Sequence, residues 1–83
     1  MARILIVDDD PDFVEIMRLL LQTQDHDVDV ASNGDQALRQ MRAGKPDLVL
    51  LDIMMSYVLD GLNVIRQMRA DVDLCDLPVI VLS

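Results

Sequence analysis

The sequence has little that a small stapled or aromatic-rich domain needs. In 83 residues there is one cysteine, one phenylalanine, one tyrosine and no tryptophan. A lone thiol, Cys75, excludes an internal disulfide, and no zinc-ligand spacing surrounds it; a reduced, cytoplasmic setting is the expectation. With aromatics at 2%, any core must be built from Leu, Ile, Val, Met and Ala. Basic residues are scarce, 7 against 15 acidic ones, for a formal net charge of -8. That balance argues against a nucleic-acid surface in this segment and suits a cation site or a basic partner. No apolar run approaches membrane-spanning length, and the start lacks a signal peptide's long apolar region, so no membrane association is expected. Three glycines and three prolines leave no linker or low-complexity stretch. The single histidine, His26, lies between Asp25 and Asp27 and reads as a solvated loop residue.

What is present is 52% hydrophobic, enough for a packed core in one domain over 1–83. Four short apolar runs stand out: Ile4 to Val7, Val28 to Ala31, Leu48 to Leu51 and Val79 to Leu82. Three are continuous rather than alternating, as expected of strands covered on both faces. Helical patterns lie between them. Asp10 can cap a helix with Pro11 at its first position, after which Phe13, Ile16, Met17 and Leu20 recur on one face. A second helix starts near Ser32 or Asn33, buries Ala37, Leu38 and Met41, and stops at Gly44. A third begins near Gly61, with Leu62, Ile65 and Met68 inward and Arg66 and Arg69 outward. The order β-α-β-α-β-α-β implies a doubly wound parallel sheet with right-handed crossovers and helices on both faces.

In such a sheet ligands bind beyond the carboxyl ends of the strands, where the strand order reverses. Strand one ends in Asp8, Asp9 and Asp10, strand three in Asp52, strand four in Ser83. In the order 2-1-3-4 the reversal lies between strands one and three, so these acids converge. Each has a plain alternative: Asp10 as a helix cap, Asp52 as a turn former. Together, however, carboxylates held this close repel unless a cation joins them or a proton stays on. A hard divalent ion that keeps some waters, Mg²⁺, suits them. Asp52 is then placed to act as a nucleophile toward phosphorus, and Ser83 to offer a hydroxyl to a phosphoryl oxygen.

Three segments carry a specific resemblance. Ile4-Leu5-Ile6-Val7-Asp8-Asp9-Asp10-Pro11, Pro46-Asp47-Leu48-Val49-Leu50-Leu51-Asp52-Ile53-Met54-Met55 and Leu77-Pro78-Val79-Ile80-Val81-Leu82-Ser83 resemble the response-regulator receiver domains of two-component signalling. The resemblance spans the whole chain and matches the first two-thirds of that domain, so the family's flavodoxin-like fifth strand, its lysine and its last two helices have no counterpart here. It implies Mg²⁺ held by Asp9 directly and by Asp8 largely through water, with Asp52 and the Met54 backbone carbonyl as further ligands. It also implies Asp52 as phosphoacceptor, Ser83 as the switch hydroxyl, and a histidine kinase or phosphotransfer protein as donor. Such a module catalyses only its own phosphorylation and dephosphorylation and is not a turnover enzyme. One departure lies after the acceptor: the family's Met-Pro-x-x-Asp-Gly turn reads Met55-Ser56-Tyr57-Val58-Leu59-Asp60-Gly61, with Ser for Pro and one residue more.

Two other functions compete. A phosphorylation-independent interaction module would keep the fold and metal pocket without the transfer, and the missing lysine favours it for this segment. A flavodoxin-like nucleotide binder fits poorly, because Asp8-Asp9-Asp10-Pro11 stands where a glycine-rich phosphate loop belongs. Finally, an apolar fourth strand left at the sheet edge predicts self-association of this segment, as a homo-oligomer or a strand-swapped dimer.

Overall fold

The four apolar runs form one parallel sheet in the computed structural model, which describes residues 1–52 and 58–82. The chain order is β1 (Arg3–Val7), α1 (Pro11–Gln22), β2 (Asp27–Ala31), α2 (Gly34–Gly44), β3 (Leu48–Asp52), α3 (Val58–Ala70) and β4 (Val79–Leu82). The strand order is β2-β1-β3-β4, the order expected of the doubly wound sheet. Register is set by Ile4 opposite Val28 and Leu48, with Val7 opposite Ala31 and Leu51.

Alternate residues of the central strands feed two separate apolar clusters. Leu5, Val7, Val49 and Leu51 join Ala37, Leu38 and Met41 of α2 and Val64 and Met68 of α3. Ile4, Ile6 and Leu50 join Val14 of α1, with Met17 and Leu21 packed alongside. Burial on both sides explains why these strands read as continuous runs. Each such Leu or Ile removed from water contributes roughly 1.5–3 kcal/mol. β2 is an edge strand and alternates instead: Asp27 and Asp29 are exposed while Val28 and Val30 are half-buried.

The helix ends follow local chemistry. Asp10 caps α1 by accepting from the amides of Asp12 and Phe13, and Asn33 caps α2 by accepting from Gln36. Gly44 does end α2, but not through a left-handed conformation, since none of the described glycines has a positive φ. A Cβ there would lie 2.9 Å from Arg3 Nη2, so the glycine makes room for a side chain from β1. After α3, Asp71 organises the connection to β4. Its carbonyl accepts from the amides of Leu74 and Cys75, and Arg69 Nη1 donates to the carbonyl of Cys75 at 2.7 Å. The fully buried Leu74 is thereby pinned beneath the sheet.

Three expectations need correction. Ile16 and Leu20 are each 58% exposed; the face of α1 that meets the sheet is Val14, Met17 and Leu21. α3 begins at Val58 rather than Gly61, and its core residues are Val64 and Met68, with Leu62 on the outside. His26 is half-buried rather than solvated, and its Nδ1 accepts a hydrogen bond from the Ala2 amide at 3.0 Å.

Candidate acidic site at the sheet's switch point

The site lies where β1 and β3 end side by side. The ladder pairs Val7 with Leu51, so the next residues, Asp8 and Asp52, arrive together. The Asp8 amide continues the sheet by donating to the Ala31 carbonyl at 3.1 Å. Its carboxylate turns the chain toward α1 by accepting from the Asp10 amide at 2.9 Å. Asp10 is thereby committed to capping, and the acids left to face one another are Asp8, Asp9 and Asp52. One carboxylate oxygen from each lies within 4.8 Å of the others.

Asp8 is only 5% exposed, the one buried charged side chain among the described residues. Burial raises its carboxyl above the ordinary value of 3.8; the Asp10 amide opposes the shift, and the charges of Asp52 and Asp9 and a hydrogen bond shared with Asp52 add to it. The cluster thus carries an electrostatic load that a proton or a cation would relieve. Its donors are hard carboxylate oxygens in the spacing a divalent oxygen-loving ion uses, so the residues present fit Mg²⁺. Beside them a cleft of about 220 Å³ is lined by Asp8, Asp10, Phe13, Asp52 and Leu82. No described helix is long and apolar enough to cross a membrane.

The structure therefore brings together Asp8, Asp9 and Asp52. The other two expected site residues, Met54 and Ser83, lie outside the described residues, as do Met55, Ser56 and Tyr57 of the altered turn. Phe13 is the site neighbour that sequence reasoning misplaced, assigning it to the buried stripe of α1. The signal for it was its position, in the first turn of a helix that leaves directly from the acidic end of β1.

A flavodoxin-like parallel sheet with three carboxylates clustered at its topological switch point defines the class. The particular family follows from comparison with known proteins. Residues 4–83 match the response regulator receiver domain family, and the chain belongs to it. It is 41% identical over 81 residues to the DNA-binding response regulator MtrA of Mycolicibacterium smegmatis, covering 98% of this chain and 34% of that protein. It is 44% identical over 82 residues to the response regulator MprA of Mycolicibacterium vanbaalenii, covering 99% and 34%. The chain thus spans about a third of the length of these relatives. Among solved structures, the N-terminal domain of a response regulator receiver protein from Methanoculleus marisnigri superposes with a TM-score of 0.93 at 35% identity, over all of this chain and 67% of that one. The signal receiver domain of a signal transduction histidine kinase from Syntrophus aciditrophicus gives 0.91 at 31%, over 100% and 62%.

Proposed function

We propose that the chain is the phosphoacceptor module of a two-component relay and that Asp52 receives the phosphoryl group. The observation that carries this reading is the convergence of Asp8, Asp9 and Asp52 within 4.8 Å at the carboxyl ends of β1 and β3. Asp52 ends β3, half-exposed at the cleft, while Asp8 lies buried beneath it. An Asp52 carboxylate oxygen attacks phosphorus, and the bond from phosphorus to the donor's imidazole nitrogen breaks. The imidazole keeps the electron pair and then takes a proton. Asp9 and Asp8, with Asp52 and the Met54 carbonyl, would hold Mg²⁺, which when bound neutralises charge on the transferring group. The Ser83 hydroxyl is assigned to a phosphoryl oxygen, where it would report occupancy to the rest of the domain.

The donor is a histidine kinase or a phosphotransfer protein in the cytoplasm, and Mg²⁺ is the cofactor. Residues 1–83, with a net charge of -8, are not themselves the nucleic-acid-binding part in this reading. The test is incubation of the gene product with acetyl phosphate and Mg²⁺. A hydroxylamine-labile phosphoryl group should appear, and Asp52→Asn should abolish it. Labelling of that variant at the wild-type rate would refute the assignment. A metal-binding wild type that never labels would instead favour the phosphorylation-independent interaction module.

A further inference from the structure

Phe13 is the chain's only phenylalanine, yet it belongs to neither apolar cluster of the described residues. An aromatic ring ordinarily contributes to stability by burying a large area in a core. Here it is half-buried at the wall of the acidic cleft, together with Leu82, Asp8, Asp10 and Asp52. Two local features hold it there. The Asp10 carboxylate that caps α1 accepts from the Phe13 amide at 3.4 Å, which fixes the first helical turn over the end of β1. On the other side Leu82 sits opposite Asp52 in the β3–β4 register and packs against the α1-side cluster. Two apolar side chains thus flank an opening that, among the described residues, is otherwise lined by the carboxylates of Asp8, Asp10 and Asp52.

We propose that Phe13, with Leu82, forms an apolar wall that restricts water's approach to a phosphoryl group on Asp52, and so sets the lifetime of the aspartyl phosphate. This rests on the reading of Asp52 as the acceptor and adds a positioning residue to it. In the hydrolysis that the wall slows, the water oxygen bonds to phosphorus as the bond from phosphorus to the Asp52 oxygen breaks. The electron pair returns to the carboxylate, one of the water's two protons stays on the inorganic phosphate, and the other leaves to solvent. Excluding water from one side of a reacting group slows this competing step without altering the acceptor itself.

The gene product is phosphorylated with acetyl phosphate and Mg²⁺, freed of donor, and followed by the decay of its acyl phosphate. Phe13→Ala should shorten the lifetime several-fold, and Phe13→Leu should restore most of it. A second readout separates a wall from a general loss of packing. Cleavage by O-benzylhydroxylamine relative to the smaller hydroxylamine should rise in Phe13→Ala, because removing a wall helps the larger nucleophile more. Urea midpoints establish that each variant is folded, and Phe13→Val carries the same comparison where the alanine variant is not. A folded variant with unchanged lifetime and unchanged size selectivity overturns the proposal while leaving Asp52 as acceptor. Absence of any labelling at Asp52 in the wild type overturns the acceptor reading, and this inference with it.

Discussion

Replacing Asp8 by asparagine should stabilise the metal-free fold while removing its response to Mg²⁺. Asparagine keeps the side-chain oxygen that accepts from the Asp10 amide at 2.9 Å and takes away a charge that is 5% exposed. Two full charges about 4–5 Å apart at an effective dielectric near 20 repel by roughly 3–4 kcal/mol. Part of that is already relieved, since Asp8 shares a hydrogen bond with Asp52 and its carboxyl lies above 3.8. A net gain of about 1–2 kcal/mol is therefore expected from Asp8→Asn in chelator, which for a domain of this size raises Tm by at least about 4 °C. The pH dependence has a definite sign. A carboxyl raised on folding contributes stability below its ordinary value of 3.8, and that contribution is lost as pH rises through the higher folded value. The wild type should lose this increment with rising pH when metal is absent, and Asp8→Asn should not. Mg²⁺ at a hundredfold excess over its Kd should then add about 2.7 kcal/mol to the wild type and much less to the variant. Thermal unfolding in chelator and in Mg²⁺ across a pH series reads all three effects. An Asp8→Asn protein less stable than wild type in chelator, or one that gains equally from Mg²⁺, would refute the electrostatic account of the cluster.

Two further predictions concern packing. Leu51, fully buried in the cluster under α2 and α3, should cost about 2–5 kcal/mol when cut to alanine, whereas Leu20→Ser, at a position 58% exposed, should stay within about 0.5 kcal/mol; chemical denaturation of both variants checks the orientation of α1.

The fold was legible where burial is two-sided. Continuous runs such as Ile4 to Val7 and Leu48 to Leu51 announce strands covered by helices, and an alternating Val28-Asp29-Val30 announces an edge. Helix orientation was less legible. α1 has apolar residues on more than one face, so Phe13, Ile16, Met17 and Leu20 satisfied a helical period as well as Val14, Met17 and Leu21 did, and only packing against Ile6 and Leu50 selects between them. The same ambiguity placed Leu62 in the core in place of Val64. The carboxylates of the site were legible because topology alone brings the ends of β1 and β3 together. Phe13 was not, because periodicity assigns an apolar residue to a core and carries no information about a cleft beside it. The roles assigned to Met54 and Ser83 fall outside the described residues and rest on the family's pattern.

The acceptor role of Asp52 comes down to one covalent bond to one side chain. Borohydride reduction of the gene product after treatment with acetyl phosphate and Mg²⁺ converts an aspartyl phosphate to homoserine, which peptide mass spectrometry locates to a residue. Homoserine at position 52, dependent on Mg²⁺ and lost on mutating Asp9, is the predicted result. Homoserine at Asp8 or Asp9 instead, or at no position despite folded, Mg²⁺-bound protein, would contradict it.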